Sequence, residues 1–249
     1  MKTDKLNMLE NIDEKYITEA SEAKNTYCKR VFATYVSIAA CAALALAIGV
    51  SVYRAPSPNT LPLSTYSFNV KVEYYNGDVS KMTDAHSLAY FYSAEEAFAK
   101  AEAVLRGTVT DIRNIEINSN GIKEYRALAT VTVENVYLGS CKAGDVVTIM
   151  LPCPISEGQW VEDTDVVAQM SVGKGGIFLL KEYGNDDYYS ANNSTLLLSD
   201  VADYGFSDGV QFAFVETENG LVFDKEKYEE VANATSLDEV EKYVIKMIK

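Results

Sequence analysis

Four carboxylates, Glu157, Glu162, Asp163 and Asp165, fall within one stretch of nine residues. Carboxylate oxygens are the ligands that a hard cation such as calcium prefers. The stretch is therefore a candidate metal loop, and Asp200, Asp203 and Asp208 form a second acidic run. Neither follows the EF-hand pattern, and a solvated surface loop has the same composition with no ion. Inside the first stretch lie Gln159 and Trp160, the chain's one tryptophan. Tyr188 and Tyr189 form one of the tyrosine pairs. Aromatic rings beside polar groups stack on sugars or peptides, and the same residues also suit half-buried strands. Trp160, Gln159, Tyr188 and Tyr189 are thus candidate ligand contacts.

Other chemistry is thin. His86 is the only histidine. No G-x-S-x-G or H-E-x-x-H motif occurs, so the chain reads as a non-enzyme without a cofactor. "SVGKGGIF" (171–178) has the glycines and lysine of a phosphate loop. Its spacing is wrong and a strand follows where a helix should, which makes it a turn before a strand. Cys141 and Cys153 lie 12 apart with a strand expected between them. A strand holds its ends too far apart for a disulfide.

Charge and hydropathy give the location. Residues 31–53 contain no charge, and a helix of that length would be roughly 34 Å long, enough for one bilayer crossing. Lys29 and Arg30 precede it and only Arg54 follows closely. The cationic excess puts residues 1–30 in the cytoplasm and 55–249 outside. Two alternatives stay open: cleavage after a small-x-small site such as Ala43-Leu44-Ala45, and lipidation at Cys41. Both leave the C-terminal part outside. Ala39, Ala43 and Ala47 form a small-residue stripe of the kind that packs two membrane helices.

Residues 55–249 hold 15 Lys/Arg and 30 Asp/Glu, a net charge of 15 − 30 = −15. Such a surface repels a polyanion, so nucleic acid is excluded as a partner.

The elements that position these residues read as follows. Residues 1–30 form a juxtamembrane helix whose thin stripe, Leu9, Ile12 and Tyr16, could dock on a partner. Residues 54–65 hold three of the five prolines and read as a linker. From 66 to 249 the pattern is mainly β. "YSFNVKVEYY" (66–75) alternates with Phe68, Val70 and Val72 on one face. A short helix starts at the Ser93/Glu96 capping box. Strands follow over 103–115, 125–139, 144–152 and 175–183, with a fifth over 187–199. The second changes parity between Val133 and Val136, which predicts a bulge. A hairpin turns at Asn219-Gly220. A last helix begins at Ser236, with Glu239 completing its capping box and Leu237, Val240, Val244 and Ile248 on its apolar stripe. Five such strands suit a small closed barrel with an extra hairpin and flanking helices.

Two stretches carry a resemblance. "IDEKYITEA" (12–20), followed by a basic doublet and an Ala-rich span, resembles the N-terminus of single-pass proteins of Gram-positive bacteria, some of them anti-sigma-factor-like. "AEAVLRGTVTDI…YRALATVTVENVYLG…GDVVTIMLP…GGIFLLKEY", across roughly 102–183, resembles their OB-like extracytoplasmic domains. The resemblance implies a membrane-anchored binding or sensing module of unknown ligand. It also implies an alternative, a transmembrane regulator that holds a cytoplasmic sigma factor. A cell-envelope hydrolase is a third reading. The matched motifs are scaffold motifs and contain no catalytic residue.

Overall fold

The computed structural model describes residues 59–79, 92–156, 164–207 and 211–249. They belong to one compact unit, Pro56–Lys249. The juxtamembrane stripe Leu9, Ile12 and Tyr16, the span 31–53, His86, Asp208 and the loop residues Glu157, Gln159, Trp160, Glu162 and Asp163 lie outside the described residues. Among the described residues no helix is long and apolar enough to cross a membrane.

The unit is mainly β. Strand β1 is Val70–Tyr74, and helix α1 (Ala94–Lys100) follows. Two long strands, β2 (Ala103–Ser119) and β3 (Ile122–Leu138), form an antiparallel ribbon turned at Asn120-Gly121. Then come β4 (Val146–Leu151), β5 (Gly175–Glu182), β6 (Tyr188–Ala191), β7 (Ser194–Leu197), β8 (Tyr204–Gly205), β9 (Ala213–Thr217) and β10 (Gly220–Val222). Helix α2 (Leu237–Ile248) comes last.

The pairings form a partly closed sheet. β2 pairs with β3 on one side and β5 on the other, and β3 pairs with β4. β8 joins β4 in parallel and β5 antiparallel, which completes a circuit of five strands. β1 extends the far half of β2, while β9 and β10 extend β5. The circuit bends where residues are inserted or lack a side chain. Register shifts leave Glu134 and Tyr137 on β3, and Thr110 on β2, without opposite residues. The shift at Glu134 is the bulge that the parity change predicts. Such bulges sharpen twist and let a sheet coil.

The alternation of small and branched apolar residues fills three cores. Leu105, Val109, Ala129, Val131, Val147, Ile149 and Phe178 fill the inside of the circuit. The opposite face of β5 and β9 meets α1 and α2 through an aromatic group that includes Phe98, Phe214, Phe223, Tyr228 and Tyr243. The third core lies outside β1 to β4 and contains Leu61, Val72, Ile117, Leu128, Met150 and Leu196. Arg106 ties α2 to the sheet, bonding Asp238 at 2.6 Å and Glu241 at 3.0 Å.

Four expectations change. The segment 187–199 is a separate hairpin, β6–β7, because Asn192 and Asn193 both take positive φ (46° and 56°) and reverse the chain. The circuit's fifth strand is instead Tyr204-Gly205. Phe68 does not share the buried face of Val72, since Asn69 at φ 52° resets the alternation and leaves Phe68 63% exposed. Part of the expected linker is packed: Leu61 is buried and its N–H bonds the Val72 carbonyl at 2.9 Å. Ser236 starts α2 without a side-chain cap, and the Glu239 carboxylate accepts from the N–H of Thr235, one residue earlier, at 2.7 Å. The Ser93/Glu96 capping box forms as expected.

Candidate functional site

Register decides which residues meet. On β2, β3 and β4 the inward residues are apolar, and the outward ones include Thr108, Thr130, Thr132 and Thr148, all half-buried. Thr132 lies between Thr108 and Val146, and Thr130 between Asp111 and Thr148. The result is an open hydroxyl-bearing face. One end is bordered by Arg113, whose guanidinium stacks on Tyr74 at 3.8 Å from the ring centre and bonds its hydroxyl. At the other end Thr108 donates to Glu134 at 2.6 Å. The β4 edge is closed by Asp203, which accepts from the Thr148 N–H at 2.8 Å. Asp200 likewise accepts from the Ser64 N–H and from the Ser64 and Ser67 hydroxyls. These two carboxylates therefore fasten loops. Among the described residues no group of three metal-ligating side chains occurs, and Asp165 is exposed.

A second surface lies on the β6–β7 hairpin. The backbone of Phe68 pairs with Thr195, and the Ser67 hydroxyl accepts from the Leu197 N–H at 3.0 Å. Phe68 thus makes a single bridge to β7, while Tyr66 lies in a turn closed by the Ser67 N–H on the Ser64 carbonyl at 3.2 Å. Tyr188 pairs with Leu197 and Ser190 with Thr195 across the hairpin. Tyr66 sits in the turn beside the bridge, and Phe68 and Tyr188 share a face of the hairpin, since neighbours across and two along do so. Tyr66, Phe68 and Tyr188 are 69%, 63% and 44% exposed. Sequence reasoning selects Tyr188 but misses Tyr66 and Phe68, which are more than 115 positions away. Tyr189 points the other way: its hydroxyl donates to Glu124 and Arg126 sits over its ring. It serves as an internal tie and not as an exposed contact.

The hairpin's tip is built from asparagines. All four non-glycine residues with positive φ among the described residues are asparagines: Asn69, Asn120, Asn192 and Asn193. Asn192 donates to the Asn120 carbonyl at 2.9 Å, Asn120 to the Asn192 carbonyl at 3.3 Å, and Asn69 to the Asn193 carbonyl at 3.4 Å. Asparagine tolerates this conformation better than other side chains, so three turns are locked to one another. The Asn-Gly signal at 120–121 marks one of them in the sequence.

No protein-family model matches the chain, and no curated protein matches it.

Burial raises the pKa values of Tyr183, Tyr189 and Tyr204, each to about 12, and pushes the Cys153 thiol up to about 11. Cys153 and Cys141 are both free. Phenols ionise near 10 in an unfolded chain. Keeping these phenols neutral therefore stabilises the fold fully below about pH 10, and that stability is lost as pH rises toward 12, while the share of the Cys153 thiol is lost earlier, from about pH 9 toward 11. Phenolate absorbance and circular dichroism followed together should show a late-ionising group of tyrosines that titrates with loss of structure. Ionisation of every tyrosine near pH 10, with the fold intact, would refute this.

Proposed function

We propose that residues 66–249 form an OB-like binding or sensing module, held outside the cytoplasm by a single N-in membrane span at residues 31–53. The observation that carries this reading is the order of the five-strand circuit, β2-β3-β4-β8-β5, with its one parallel pairing between β4 and β8. OB barrels bind ligands on the face of their second and third strands, framed by the first and fourth loops. The corresponding surface is the open face of β3 and β4 with Thr130, Thr132 and Thr148, framed by the Asn120-Gly121 turn and the long connection that contains β6–β7. With a net charge of −15 from residue 55 onward, the ligand is a neutral or cationic molecule and not a nucleic acid. Threonine hydroxyls beside Tyr74 and Arg113 suit a hydroxylated or amide-bearing ligand.

Topology gives the direct test. In intact cells, an impermeant thiol reagent should label a Ser57→Cys chain well above the parent chain and leave a Glu10→Cys chain at the parent's level. The opposite pattern would place the module inside the cell and end the proposal.

A further inference from the structure

We infer that the aromatic face formed by Tyr66, Phe68 and Tyr188 seats the module on the lipid bilayer. The inference rests on the proposed single-span topology and adds an orientation to it.

Three observations lead there. The first is exposure. Tyr66, Phe68 and Tyr188 are three of the eight large apolar side chains exposed among the described residues; register places Phe68 and Tyr188 on one face, and Tyr66 lies in the turn next to Phe68. Aromatic rings with a polar tip or polar neighbours favour the headgroup region of a membrane. Ser190 and Thr195, 3.4 Å apart, supply hydroxyls between the rings.

The second is charge. The chain from residue 55 onward has 45 charged side chains. Residues 55–70 and 188–199 have none, and these two segments build the face and its tip. A bilayer with an anionic surface repels an acidic protein except where the protein presents a neutral patch. The nearby Asp200 is already held by Ser64 and Ser67. Asp187 is paired with Lys181.

The third is reach. The candidate span ends at Tyr53, and Asn59 is already fixed to the sheet, its carbonyl accepting from the Tyr74 N–H at 2.7 Å. Six residues extend at most about 20 Å. The β1 edge is therefore held near the bilayer whatever the linker does. Phe68 lies just beyond the other end of β1. A sheet edge held this close, with its uncharged rings exposed, meets lipid before it meets a soluble partner. The asparagine tip keeps Phe68, Asn193 and Asn120 in fixed relation, so the face is presented as one rigid surface. The threonine face of β3 and β4 then remains free for a ligand.

The test uses the full chain in lipid nanodiscs. With Trp160 changed to Phe, a single tryptophan is introduced as Phe68→Trp, Tyr188→Trp or, as a remote exposed control, Val172→Trp (Val172 is 58% exposed). The expected result is blue-shifted emission at 68 and 188, quenched several-fold more by headgroup-region spin-labelled lipid than emission at 172. Equal, weak quenching at all three positions would show that the module stands clear of the bilayer. Blue-shifted emission at 68 without lipid quenching would mean that protein, such as a second copy, covers the face. Either outcome overturns the inference. The thiol-labelling experiment reads the topology independently, so a failure of orientation is distinguishable from a failure of the anchor.

Discussion

Changing Gly107 to valine is expected to destabilise the unit by about 3 kcal/mol, at the upper end of the usual cost of overpacking. Gly107 sits where β2 serves two neighbours, opposite Val133 on β3 and Gly176 on β5. A Cβ there would lie 2.6 Å from the Thr132 carbonyl oxygen and 2.6 Å from a Val131 methyl. The first is backbone, so a rotamer change cannot relieve the clash. Gly176 faces the same restriction, with the Phe178 ring 2.4 Å from its added Cβ. Two facing glycines thus leave room for the β3 backbone beside β2 and for the Phe178 ring beside β5. Gly184→Ala is the control, because its added Cβ meets only an Asp187 oxygen at 3.6 Å. Urea unfolding of the three full-length chains should separate Gly107→Val from the other two. A Gly107→Val midpoint equal to that of the control would show that the strands part there without cost.

Tyr228→Ala is expected to cost about 3–5 kcal/mol, the range for deleting a large buried ring. Tyr228 is fully buried, and its hydroxyl donates to the Gln211 carbonyl. Its ring lies 4.7 Å from Phe214, 6.3 Å from Phe98 and 6.1 Å from Tyr243. One side chain therefore joins β9, α1 and α2. Tyr228→Phe keeps the ring and loses the hydrogen bond, a cost of about 1 kcal/mol. Amide exchange should show both helices deprotected in the alanine chain and protected in the phenylalanine chain. Equal protection in the two would mean that the helices are held by other contacts, those of Arg106 among them for α2.

Much of the sheet was legible because its strands are long and alternate cleanly. Along the middle of β2 and β3 inward apolar residues (Leu105, Val109, Ala129, Val131) alternate with outward polar ones (Arg106, Thr108, Thr130, Thr132). The bulge was legible for the same reason, since Val133 and Val136 cannot share a face without an extra residue between them. The fifth strand was not. Tyr204-Gly205 is two residues long and offers no period, while the longer apolar run at 187–199 drew the assignment to itself. Asn69 misled in a smaller way: a single left-handed residue inverts the faces that precede it, and the sequence does not show which asparagine will take that role. The candidate faces were the least legible. Phe68 and Tyr188 come onto one face only through the pairing of Phe68 with Thr195, a contact between segments more than 120 residues apart. Tyr243 joined the helix's buried side because the aromatic core reaches beyond the aliphatic stripe.

The double pairing of β2 also sets a schedule for maturation. β2 meets β3 at once across a two-residue turn, but its other partner, β5, begins at Gly175, 175 − 119 = 56 positions after β2 ends at Ser119. The circuit needs β8 as well, held by two residue pairs on each side. Contacts that join such distant segments form late. On the proposed topology, a chain emerging on the far side of the membrane would therefore wait as a half-built ribbon, with Leu105, Val109 and Val131 uncovered, until residue 205 had crossed. During that interval, protection by an export chaperone or by the nearby lipid would decide the yield of folded protein.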